Sequence, residues 1–177
     1  VLKNIITGQT DDKESYSHYE GNIKIDGATN IEIGENIISG NYYGIGILNG
    51  FSSDKPYGVK KCNIHDNTIR DCVSNIGFSR GLIDCVEETL IEDVTINNNT
   101  LSFNNRVNSV RGINLTRGNW KNLIITNNKF INCIEGIRYE IDCYATIDNN
   151  VANNCDTGYN FSIGQFHASG CCNYFID

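Results

Sequence analysis

The chain has 177 residues, 40% hydrophobic and 20% charged, and a formal net charge of −7. This is enough chain for one domain, and 17 glycines against a single proline suit turn-rich β structure. Its acidity argues against a nucleic-acid partner held by bulk phosphate attraction, and no run of about 18 apolar residues offers a membrane span.

Residues 1–20 hold one apolar pair, Ile5-Ile6, and a polar run, and are expected to form an irregular N-terminal edge or a link to an upstream coil. With no Met in the chain, the sequence reads as a processed or excised segment of a larger protein. From Gly21 onward one pattern recurs: Ile33-Gly-Glu-Asn36-Ile-Ile38, Ile64-His-Asp-Asn67-Thr-Ile69, Ile96-Asn-Asn-Asn99-Thr-Leu101, Ile125-Thr-Asn-Asn128-Lys-Phe130 and Ile147-Asp-Asn-Asn150-Val-Ala152. The aligned Asn residues follow one another at 31, 32, 29 and 22 residues, a period typical of solenoids.

Apolar and polar residues alternate before each Asn, as in Val94-Thr-Ile96 and Leu123-Ile-Ile125, the period of a strand with one buried face. A short second strand follows, then a third that is mostly led by Gly: Gly44-Ile-Gly-Ile47, Asn75-Ile-Gly-Phe78, Gly112-Ile-Asn-Leu115, Gly136-Ile-Arg-Tyr139 and Gly158-Tyr-Asn-Phe161. Three short strands per repeat, each paired with its counterpart in the next, wind into a coil around an apolar axis. The expected fold is therefore all-β, a single-stranded parallel β-helix of about six coils over residues 21–163, with residues 164–177 as a C-terminal coil and cap. Asn36, Asn67, Asn99, Asn128 and Asn150 should form a ladder at one corner, each bonding the next through its amide, and the same Asn should adopt the left-handed conformation there.

Loop excursions are expected at 49–58, 80–93 and 117–122, all leaving the corner after the third strand, with a further insertion at 105–110. Both corners that carry insertions flank the Gly-led sheet, which makes it the expected binding face. Its outward positions are Lys24, Gly46, Gly77, Asn114, Arg138 and Asn160, with Glu140 one step beyond Arg138. Arg80, Arg111, Arg117 and Arg138 should gather there beside Glu140 and the single Trp120. Guanidinium groups next to an aromatic plane suit a carboxylate-bearing sugar, so Arg80, Arg111, Asn114, Arg117, Trp120 and Asn160 are the expected substrate-binding residues. In a catalytic reading, Arg138 or Glu140 removes a proton beside a uronic carboxylate. Tyr42, Tyr43 and Tyr57 are further candidate stacking planes or chain–chain contacts.

Of the eight Cys, Cys72, Cys133 and Cys155 fall on one repeat position and should stack as buried thiols rather than pair as disulfides. His18, His65 and His167 stand in no His-x-x-x-His frame, so neither metal nor cofactor is expected.

The apolar-x-x-Asn-x-apolar repeat followed by Gly-apolar-x-apolar resembles that of the pectate-lyase-like superfamily of right-handed parallel β-helix proteins, which includes polysaccharide lyases, glycoside hydrolases and phage tailspikes. The resemblance implies a right-handed winding. It also implies a tailspike or tail-fibre-like segment, at a virion tail or otherwise extracellular, that associates in threes and binds or depolymerises host-surface polysaccharide. A secreted lyase or hydrolase fragment and a purely structural rod are the alternatives.

Overall fold

The computed structural model describes residues 1–8, 21–40, 43–48, 58–72, 80–85, 90–104, 110–115, 119–141, 144–161, 167–169 and 173–176. Among them the strands form three parallel sheets of seven, six and six strands. One coil runs through Val110–Leu115 in the Gly-led sheet, Asn119–Thr126 in a long-strand sheet and Lys129–Ile131 in a short-strand sheet, then returns to the first sheet as Glu135–Tyr139. Each strand pairs with the strand of the same kind one coil away, which is the parallel β-helix the repeat predicts.

Three apolar stacks fill the axis. Ile33, Ile64, Ile96, Ile125 and Ile147 stand in register on the long-strand sheet. Ile38, Ile69, Leu101, Phe130 and Ala152 do so on the short-strand sheet. The Gly-led sheet contributes Ile23, Ile45, Ile83, Ile113, Ile137 and Tyr159. All but the half-buried Tyr159 are buried, and each Ile contributes on the order of 2 kcal/mol through the surface it removes from water. Cys72, Cys133 and Cys155 are free thiols in this core, and burial pushes the Cys72 thiol up to about 12.

The Asn ladder is present and runs two rungs further than the repeat predicts. Asn4 donates to Asn36 at one end and Asn150 donates to Asn173 at the other, so residues 1–8 and 173–176 each extend the stack. The corner itself differs from expectation. The left-handed residues are Glu35, Asp66, Asn98, Asn127 and Asn149, each one place before the ladder Asn. Two tasks are divided between neighbours: the left-handed residue turns the chain with its side chain outside. The ladder Asn keeps an ordinary backbone, which leaves its amide beneath the corner to reach the next coil.

Two breaks in alternation shape the walls. Within the long strands Lys61, Asp93 and Asn122 are left-handed, so two successive side chains face outward before the inner row resumes. On the Gly-led sheet, a Cβ on Gly44 would lie 2.3 Å from Ile69, and one on Gly112 2.3 Å from Phe130, so these glycines also face inward, directly before the buried Ile45 and Ile113. Glycine leads these strands for want of space, with no positive φ involved.

One strand assignment is corrected. The third strand of the second full coil is Arg80–Cys85, in register with Tyr43–Leu48 and Val110–Leu115 through Ile45, Ile83 and Ile113. Asn75–Phe78 carries a similar apolar pattern but lies outside the described residues, as do 49–57, 86–89, 105–109 and 116–118; the excursion expected at 80–93 is instead mostly strand, its two ends belonging to Arg80–Cys85 and Leu90–Asn97.

Candidate functional site

The outer face of the Gly-led sheet brings together two transverse rows. Arg111, Glu135 and Thr157 stand in register, and so do Asn114, Arg138 and Asn160. Because Gly112 and Gly136 face inward together with the Ile that follows, the residue before each Gly and the residue after each Ile project from the same outer surface. Arg111 and Glu135 thereby meet Arg138 and Asn160.

Glu135 is the hub. Arg111 Nε donates to its Oε2 in a close ion pair, and Asn160 Nδ2 donates to Oε1 at 2.6 Å. Arg138 Nη1 approaches Oε2 at 3.9 Å, while Arg138 Nε donates to Glu140 Oε1 at 2.6 Å. Although this is the outside of a rod, Arg111 is 5% exposed, Asn114 4% and Glu135 9%. Arg138 and Glu140 are partly open, at 27% and 26% of their side-chain surface. Among the described residues Arg111 Nη1 is buried without a hydrogen-bond partner.

The structure thus brings five expected residues together: Arg111, Asn114, Arg138, Glu140 and Asn160. Arg80 begins a strand of the same sheet, opposite Val110, and Arg117 lies outside the described residues. Trp120 is placed differently. Asn119–Thr126 is a strand rather than a loop, and its left-handed Asn122 turns Trp120 inward beside Ile91, where it is 2% exposed and offers no surface plane. Tyr43 is also fully buried, its ring against Gly21 and Gly46, while Tyr42 and Tyr57 lie outside the described residues.

Sequence reasoning does not single out Glu135. A signal for it exists: it immediately precedes Gly136 as Arg111 precedes Gly112, which puts opposite charges on one repeat position a single coil apart. The Arg residues accordingly do not form an unopposed basic cluster, since Glu135 and Glu140 already engage the two guanidinium groups whose contacts are described.

Elsewhere the described charges form ordinary surface pairs. Glu92 lies between Lys60 at 2.8 Å and Lys121 at 3.2 Å, and His65 bridges Asp66 at 2.7 Å and Glu32 at 3.1 Å. No group of three or more His, Cys, Asp or Glu among the described residues is arranged to hold a metal ion, and no described helix is long and apolar enough to cross a membrane. No protein-family model matches the chain, and neither the curated proteins nor the solved structures give a significant match.

Proposed function

We propose that the chain is a β-helical segment of a tailspike-like surface protein that binds polysaccharide on the outer face of its Gly-led sheet. Arg111, Asn114, Glu135, Arg138, Glu140 and Asn160 form the contact surface. The observation that carries this reading is the buried Arg111–Glu135 pair on the outside of the rod. Taking two charges out of water costs several kcal/mol per ion before their attraction offsets it, and a well-packed apolar pair of similar volume is often as stable or more so. The fold has an Ile-filled core to hold it together, so an external buried ion pair with an adjacent open arginine and carboxylate is better suited to ligand contact than to stability. An extended glycan lying across successive coils would meet these repeated strands one after another. Association in threes and a location at a virion tail or outside a cell complete the proposal.

A depolymerase is the second reading. Glu135 and Glu140 both approach Arg138, which holds two carboxylates about one guanidinium apart, and paired-carboxylate hydrolysis uses separations of roughly 5 to 9.5 Å. A lyase would instead draw on Arg138 or Glu140 to remove the proton.

A polysaccharide array, native mass measurement and an assay for new reducing ends or unsaturated uronic products test these readings. Retention without product supports the binder. Product that disappears in Arg138→Ala or Glu140→Ala, with folding intact, supports the enzyme. Neither retention nor product leaves a structural rod.

A further inference from the structure

We infer that the glycan taken by this face is uncharged, so that hydroxyl groups rather than carboxylates are what the site recognises. This rests on the polysaccharide reading and narrows it. The sequence offers arginines as though to grip an acidic sugar, but Arg111 already holds Glu135, and Arg138 lies between Glu135 and Glu140. These two guanidinium groups and two carboxylates balance. The whole chain carries a net charge of −7.

A uronate or sialate docking here would bring its carboxylate beside Glu135 and Glu140 with no unopposed cation among the described contacts. Like charges sharing a site of low polarity disfavour one another strongly. A sugar hydroxyl fits both sides of the cluster, because its oxygen accepts while its hydrogen donates. Arg111 Nη1 is a buried donor without a partner, and Glu135 and Glu140 supply acceptor oxygens within the same cluster. One neutral ring with adjacent hydroxyls can therefore take a hydrogen from Arg111 and give one to a carboxylate, leaving no charge uncompensated.

The test is an array of neutral bacterial and plant polysaccharides together with carboxylate-bearing ones, including polygalacturonate before and after carboxyl reduction, read at low and high salt. Neutral polymers should be retained, with affinity changing less than about twofold with salt, because no ionic contact to the ligand is made. Glu135→Gln should weaken neutral binding by roughly tenfold, and shift preference toward carboxylate-bearing polymers by freeing Arg111. The salt dependence of the unmodified chain discriminates even where that variant folds poorly. Preferential, salt-sensitive retention of acidic polymers by the unmodified chain overturns the inference and leaves the polysaccharide reading standing. Retention of no polymer of either class overturns both.

Discussion

Replacing Asn99 by Ala removes the middle rung of the ladder, and the structure says what is stranded. Asn99 Oδ1 accepts from Asn67 N at 3.0 Å and from Asn67 Nδ2 at 2.9 Å, while its own Nδ2 donates to Ile64 O at 2.9 Å and to Asn128 Oδ1 at 3.0 Å. Three of the neighbours keep a second bond. Asn97 O, which also accepts from Asn99 Nδ2 at 2.9 Å, retains the N–H of Asp66. Asn67 Nδ2 still reaches Ile33 O, and Asn128 Oδ1 still accepts from the backbone N–H of residue 99. The Asn67 N–H and the Ile64 carbonyl lose this partner in the interior. At about 1–3 kcal/mol for each of these two buried groups left unmade, Asn99→Ala should cost roughly 2–6 kcal/mol, a large share of the about 5–15 kcal/mol that holds a domain folded. Asn173→Ala, at the part-buried end of the same ladder, exposes the Asn150 N–H where water can replace the lost bond, and should cost about 1 kcal/mol. Urea unfolding followed by far-ultraviolet circular dichroism measures both. Equal costs at the two positions, or a loss at Asn99 below about 1 kcal/mol, would refute the argument that the ladder stabilises the fold by satisfying buried backbone groups.

Gly112→Ala places a methyl group 2.3 Å from Phe130 Cδ1 and 2.6 Å from Gly136 O, so it should destabilise by about 2 kcal/mol or more. Phe130→Leu should fail to restore the double variant in a thermal melt, because the backbone carbonyl of Gly136 stays where it is. His65 is the test of pH: its hydrogen bond to Asp66, helped by Glu32, raises its pKa above the ordinary 6.5. The contribution to stability is therefore complete below about 6.5 and is lost as pH rises through the raised value. Asp66 moves the other way, its pKa lowered first by the His65 bond and then by Asn98, so its share is lost as pH falls through that lowered value. The pair lies at the surface, and the loss on the alkaline side should stay below about 1 kcal/mol. Denaturant midpoints at pH 5.5 and 8.5 should differ less in His65→Gln than in the unmodified chain, and an NMR titration of the ring should show the upward shift.

The candidate face was legible from the positions of Asn114, Arg138 and Asn160, because the Gly-led repeat fixes which residues precede and follow the buried Ile. Its chemistry was less so. Charge was counted along the chain, whereas neutralisation happens across coils. Glu135 lies 24 residues from the Arg111 it binds and 25 from Asn160, and only the pairing of strands makes them neighbours.

By itself the sequence determined the architecture, since period-two apolar residues, one recurring Asn and a third-strand Gly each express a local rule that repeats once per coil. Tertiary structure decided what a strict alternation cannot carry. It put the left-handed turn on Asn98 rather than Asn99, drew Trp120 inside at the Asn122 bulge and made Arg80–Cys85 the strand. It also set Glu135 between two arginines. The physical reason is common to all four. A backbone that turns left-handed at one residue changes which side the next side chain faces, and a coil of variable length is placed by pairing with its neighbour, so direction and partner are fixed between coils rather than within one.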